Sequence, residues 1–397
     1  PHPAHRGMTP VQRPPHDHTA RRVALWQALQ DDAPDAVRAF GYGDALGAGS
    51  ASHGAMRYLT GWNSHEAQGL AILTPQGCSL LIGSPFLAPP PGLDAVALPA
   101  GAWGAAIAAR IGSARRLATV GFDEMPQATF QALRAALGDA TLVPVDAALS
   151  RLRMVKHQSE IAAMQAGAAI CDDLFDRLPQ QLRSGDPVWK TQARLETHAR
   201  LEGAEYCRTW LTVSPIADRP RYWPEENRRP PQGGDQVLFG IALTVEGYWA
   251  HGIRMGAMGQ PRAEHETLWQ IAEDALIAGQ GALAPGRPVH GAEQAMSGAV
   301  LSRAAQWPRL RRFRGGHGLG LSYEEPVLSA QFPQHWGPEG FRADAPPPIP
   351  VAAGMMFELH PNLFVPGLGG AALGEMMLVE PGGALPLLQF PRQMFVV

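Results

Sequence analysis

The stretch QVLFGIALTVEGYWAHGIRMGAMG, residues 236–259, decides the reading of this chain. Two apolar runs meet at Glu246 and Gly247, which predicts two strands joined by a tight turn. Downstream, GMMFELHPNLF (354–364) and GEMMLVEP (374–381) read as two further strands, and HETLWQIAEDALIAGQGAL (265–283), between the two pairs, reads as a helix. A curved antiparallel sheet flanked by helices makes the later part of the chain α+β.

Upstream, RLRMVKHQSEIAAMQAGAAICDDLFDRL (151–178) sets Ile161, Met164, Ala168, Cys171, Leu174 and Phe175 on one helical stripe, with Ser159 as the expected cap and Glu160 in the first turn. Before it, from Arg21, a helical stretch (RRVALWQALQ) alternates with short apolar runs (AMRYLTGW, GLAILT, CSLLIG, ATVGFD), the pattern of an α/β layered domain. The expected division is a loose Pro/His-rich arm over 1–20, a smaller α/β domain over 21–148, and the larger domain over 149–397. A Pro-rich insertion from about Phe332 to Pro350, carrying Trp336 and Phe341, reads as a surface loop able to act as a lid.

With 397 residues and 33 Lys and Arg scattered against 36 Asp and Glu, the chain lacks the basic footprint of a nucleic-acid binder. Its three cysteines, Cys78, Cys171 and Cys207, show no metal or redox spacing, so neither a disulfide framework nor a thiolate zinc site is expected. No apolar run reaches the roughly 18 residues of a membrane span. The expectation is a cytoplasmic protein with no membrane contact.

The order of these signals resembles the creatinase/aminopeptidase (M24) family, a pita-bread catalytic domain preceded by a creatinase-type N-terminal domain. The segments that carry the resemblance are YLTGW (58–62), RLRMVKHQSEIAAM (151–164), the 236–259 hairpin, GGHGLGLSYEEP (315–326), GMMFELHP (354–361) and GEMMLVEPGG (374–383). The resemblance implies a homodimer. It also implies, for the peptidases, two metal ions held by two Asp, one His and two Glu. At those positions this chain has Gly240, His251, His317, His360 and Gly374, with Glu358 two residues before His360 and Glu375 beside Gly374. A substrate-contacting His of the peptidases falls on Arg221, and a second on Tyr323 or Glu324.

A pair of hard dications needs bridging carboxylates, so the expected activity is not that of a metallopeptidase. It is instead a creatinase-like hydrolase or lyase, a pseudo-peptidase that acts on a C–N bond of a small, carboxylate-bearing molecule by histidine acid/base chemistry and needs no cofactor. The expected catalytic residues are His317, His360, His251, Glu358 and Glu375. Arg221, Tyr323, Glu324, Trp223, Trp249 and Trp62 are the expected substrate contacts, Arg221 as a fork for a carboxylate and the tryptophans as aromatic walls. Two alternatives stand beside this: one divalent ion, Fe or Zn, on His251, His317 and His360, giving an oxidase, oxygenase or hydrolase, and a non-catalytic binding protein.

Overall fold

The computed structural model describes residues 14–43, 51–112, 114–303, 306–333 and 347–397. The N-terminal part is a six-stranded sheet of β1 (Ala36–Tyr42), β2 (Gln68–Thr74), β3 (Gly77–Ile82), β4 (Asp94–Ala97), β5 (Arg116–Val120) and β6 (Thr141–Pro144), in the order β4-β3-β2-β1-β5-β6. Helices α1 (His18–Ala28), α2 (Ala51–Thr60), α3 (Trp103–Ile111), α4 (Gln127–Leu137) and α5 (Asp146–Met154) cover it. Side chains alternate along a strand, so Val37 and Ala39 join Leu25, Met56, Leu59 and Leu149 on one face, while Phe40 joins Trp103, Ile107 and Leu133 on the other.

AMRYLTGW lies mostly within α2 rather than in a strand. The helix is buried on almost every side, which erases the periodicity that separates a helix from a strand in so short a run. The expected arm lies outside the described residues as far as residue 13. Beyond that point the chain is docked: His16 Nδ1 is 3.0 Å from Ser159 Oγ, and His18 Nδ1 is 2.9 Å from the Tyr58 carbonyl. The expected lid also lies largely outside the described residues, with Trp336 and Phe341 among 334–346.

In the larger part, α6 (Gln158–Leu182) buries the whole predicted stripe. It starts one residue before the expected Ser159 cap, and Glu160 turns back to accept the His157 N–H at 2.9 Å. Next come α7 (Val188–Leu201), β7 (Tyr206–Ser214), β8 (Gln236–Val245) and β9 (Tyr248–Ala257). The β8–β9 turn holds Glu246 at φ 52° and Gly247 at φ 80°, the left-handed pair that a two-residue hairpin demands.

After α8 (Ala263–Ala282) and α9 (His290–Arg303), the chain forms β10 (Arg311–Arg312), β11 (Gly316–Gly318), the short α10 (Pro326–Ser329), β12 (Met356–Leu359), β13 (Leu363–Val365), β14 (Gly369–Ala371), β15 (Glu375–Glu380), β16 (Gly383–Pro386) and β17 (Phe395–Val396). Two four-stranded sheets result, β17-β9-β8-β7 and β11-β12-β15-β16. A two-way backbone bridge between Ile253 and Gly374 joins them, so they form one curved surface. Among the described residues no helix is long and apolar enough to cross a membrane.

Candidate active site

Cross-strand register builds the site. On one face of β7-β8-β9 the directly opposed residues form rows: Tyr206–Thr244–Trp249, then Arg208–Ala242–His251, then Trp210–Gly240–Ile253. On the other sheet, β11 sets His317 opposite Glu358, and His360 follows Glu358 two residues later on the same side. The join at Ile253–Gly374 folds these sets toward one another. The rings of His251 and His317 have centroids 5.8 Å apart, His251 and His360 6.0 Å, and His317 and His360 5.3 Å. The three imidazoles therefore converge as expected.

Tyr323 closes the group. Its hydroxyl is 3.2 Å from both ring nitrogens of His251, and its ring lies 4.9 Å from that of His317. This settles which residue enters the chamber at the second family His position, because Glu324 turns aside to an ion pair with Arg314 at 2.7 Å. Glu358 Oε1 is 3.6 Å from His251 Nδ1.

Burial governs the electrostatics. It drives the His251 and His317 imidazoles well below their usual pKa and His360 down to about 4, with the neighbouring histidines adding to the effect at His251 and His317. Burial, followed by the charge of Glu375, holds the Glu358 carboxyl well above the usual range, and burial likewise keeps the Tyr323 phenol protonated. Burial thus favours the uncharged form of each of these rings, of the phenol and of the carboxyl. His317 Nε2, His360 Nδ1 and both Glu358 oxygens are buried without a hydrogen-bond partner.

Several expected residues stand elsewhere. Glu375 is opposite Leu359, hence on the other face of the β12-β15 pair from Glu358, and it is bound by Arg254 at 3.1 Å and Arg392 at 3.0 Å. Arg221 serves the loop: its backbone N–H donates to Thr212 Oγ1, and its guanidinium donates to the Glu226 carbonyl and Ser214 Oγ. Trp62 is buried beneath Gly69 in the N-terminal sheet. Trp249 is a buried wall against Tyr323, and Trp223 is 57% exposed.

Two further residues matter here: Trp210, which with Trp223 and Trp249 was expected as an aromatic wall, and Arg208, which the sequence did not single out. The Trp210 indole lies flat on Gly240, where an added Cβ would be 2.0 Å from Nε1. Arg208 stands in the His251 row, its guanidinium 5.0 Å from the Tyr222 ring centroid and 5.3 Å from that of Trp223. The signal for both was the period-two run Tyr206, Arg208, Trp210, Thr212 in YCRTWLTVS.

The residues do not fit a pair of bridged dications. The space beside Gly240 is filled by indole, and a Cβ at Gly374 would lie 2.2 Å from Glu358 Oε1. Among the described residues no group of three or more His, Cys, Asp or Glu stands in metal-holding geometry. By donor type alone, three neutral imidazoles suit a single borderline ion such as zinc or iron, but their placement here is not that of a formed metal site.

Residues 162–381 match metallopeptidase family M24, and residues 51–155 match the Creatinase/Prolidase N-terminal domain. The chain belongs to the M24 family. Its fold is the two-domain pita-bread arrangement, and solved relatives superpose over nearly the whole length. They include the prolidase of Pyrococcus horikoshii (TM-score 0.76, 15% identity, covering 95% of this chain and 100% of that one) and dipeptidase PepE of Mycobacterium ulcerans (0.75, 22%, covering 96% and 98%). In sequence the chain is 22% identical to the uncharacterized peptidase YqhT of Bacillus subtilis, over 70% of this chain and 75% of that one. It is 28% identical to a Mycobacterium bovis protein named probable dipeptidase PepE, over 71% and 70%.

These M24 relatives correct the functional expectation. Proteins of this sequence kinship are named peptidases and dipeptidases, so the non-peptidase hydrolase or lyase, the pseudo-peptidase label, the oxidase and binding-protein alternatives, and the small non-peptide substrate all give way. The absence of bridging carboxylates was an argument about ion count, and it does not set the reaction. No finding supports the expected homodimer.

Proposed function

We propose that the chain hydrolyses the amide bond of short peptides, of the dipeptide kind, in the chamber of His251, His317, His360, Tyr323 and Glu358. One observation carries this reading: buried atoms of His317, His360 and Glu358 lack hydrogen-bond partners although the three side chains stand together, the His317 ring 5.3 Å from the His360 ring and directly across the strand pair from Glu358. Buried polar groups are ordinarily bonded, and a bound amide with its attacking water would supply the missing partners. Kinship with proteins named dipeptidase supports the choice of substrate.

In the reaction, water adds to the carbonyl carbon and the C–N bond breaks. Glu358, the carboxyl beside His251 whose protonated form burial favours, is able to give its proton to the departing amine from one oxygen while its other oxygen takes the proton of the water. The protonated Tyr323 phenol donates a hydrogen bond to the carbonyl oxygen, where negative charge develops. M24 is a metallopeptidase family, and the finer part of the proposal is one divalent ion, zinc or iron, on His251, His317 and His360. When bound, such an ion polarises the carbonyl and acidifies water. The proposal keeps two domains, divided after α5 (Asp146–Met154) rather than after residue 148, and a cytoplasmic setting, for which three unpaired cysteines speak.

The test is a panel of dipeptides and longer peptides given to untagged protein with zinc, iron or no added metal, alongside elemental analysis. The expected result is dipeptide hydrolysis, about one ion per chain, and loss of both on chelation. Protein inert toward every peptide under every metal condition would overturn the reading.

A further inference from the structure

We infer that Arg208 is the subsite for the C-terminal carboxylate of the substrate, an inference that rests on the peptide-hydrolase reading above. Arg208 shares a face and a cross-strand row with His251, separated only by the small side chain of Ala242. Neighbouring strands lie about 4.8 Å apart, so the two backbones are roughly 10 Å apart and both side chains reach the space between. The residue beyond the scissile bond spans at most about 3.6 Å, which fits between the imidazoles and a guanidinium in that row.

The guanidinium is held rather than neutralised. It lies over both the Tyr222 and the Trp223 rings, at 5.0 and 5.3 Å from their centroids, and the Tyr222 ring in turn is 6.0 Å from that of Trp210. Among the described residues no carboxylate pairs with Arg208, and no acceptor takes its N–H groups. Every other arginine in or around the chamber is committed: Arg221 to its loop, Arg254 to Glu375, Arg314 to Glu324. Stacking fixes the plane of the fork and leaves its edge free for a bidentate acceptor, the geometry by which arginine selects carboxylates. Trp223 is exposed and Tyr222 half-exposed, so this edge lies at the mouth, where a free peptide terminus enters.

The experiment compares alanyl-proline, alanyl-prolinamide and alanyl-aspartic acid α-amide (β-carboxylate free) on wild type, Arg208→Lys and Arg208→Met, by calorimetric binding and by steady-state hydrolysis. Wild type is expected to bind the free acid roughly 10- to 100-fold more tightly than the amide, the range for a charge-assisted pair. Arg208→Met should raise KM for the free acid by that factor with kcat little changed, and should leave the amide unaffected. Arg208→Lys should recover part of the loss. Equal binding of acid and amide by wild type, or an equal loss for both in Arg208→Met, would overturn the inference, as would tight binding of the aspartic acid α-amide, since a side-chain carboxylate would then be the ligand. Hydrolysis without carboxylate preference leaves the peptidase reading standing and removes the subsite. Arg208-dependent binding without hydrolysis does the reverse.

Discussion

Burial favours the uncharged form of three histidines and a glutamate, and each shift enters the pH dependence of stability. An imidazole whose pKa falls on folding contributes stability that is present above the unfolded value near 6.5 and is lost as pH drops through the folded one. For His360 that window runs from about 6.5 to about 4. Ion-free protein should therefore lose on the order of 1–3 kcal/mol across it, and His360→Asn should flatten the curve. Urea unfolding at several pH values checks this, and an unchanged slope in the variant would contradict it. Glu358 runs the other way. Its pKa rises on folding, so its contribution is full below the unfolded value near 4.5 and declines as pH climbs. Glu358→Gln should match wild type at pH 4.5 and exceed it by roughly 1–2 kcal/mol at pH 8. The Tyr323 hydroxyl bears on catalysis instead: Tyr323→Phe should lower kcat by about 10²-fold, the usual yield of a lost donor, without shifting the unfolding midpoint by more than a degree or two.

At the scale of elements, the hairpin β8–β9 was legible because its turn pair and two apolar runs are local signals. The family positions could then be counted from it. Strand β7 left a period-two run in the sequence, but what the sequence could not display was its pairing, by which Trp210 fills the place of a side chain missing at Gly240. Cross-strand complementarity links residues 30 apart and leaves no periodic trace in either segment alone. The same holds for Glu375, which reads as a neighbour of the chamber until the register turns it toward Arg254 and Arg392. Arg221 likewise looked like a substrate fork until its loop was seen to use it. The Trp210–Gly240 pair makes a testable cycle. Gly240→Asp should destabilise by about 2–4 kcal/mol through overlap with the indole. Trp210→Ala should cost about 3–5 kcal/mol through its cavity. The double variant should lose clearly less than the two losses together, because each change makes room for or fills the other. Additive losses in chemical denaturation would show that the two side chains do not share that space.

Across the whole molecule, buried ion pairs bind the N-terminal elements to the chamber walls. Arg153 of α5 donates to Glu325 at 2.8 Å and to Ser322 at 2.9 Å, within the segment that carries His317 and Tyr323. Arg21 of α1 reaches the Tyr248 hydroxyl at 2.9 Å, which donates to Glu160. Removing one partner of a buried pair strands the other charge, so Glu325→Ala should cost about 3–5 kcal/mol and lower the melting temperature. The two-domain order could be read from composition and motif sequence. These junctions could not, since Arg153 and Glu325 lie 172 residues apart.

The account depends most on the converging imidazoles being the reaction centre of a peptide hydrolase. The direct measurement is the rate of alanyl-proline cleavage by wild type and by His317→Ala, both loaded with the same metal and shown to be folded. The account predicts turnover by wild type that falls by at least about 10²-fold in the variant. A variant that cleaves the dipeptide as fast as wild type would contradict it.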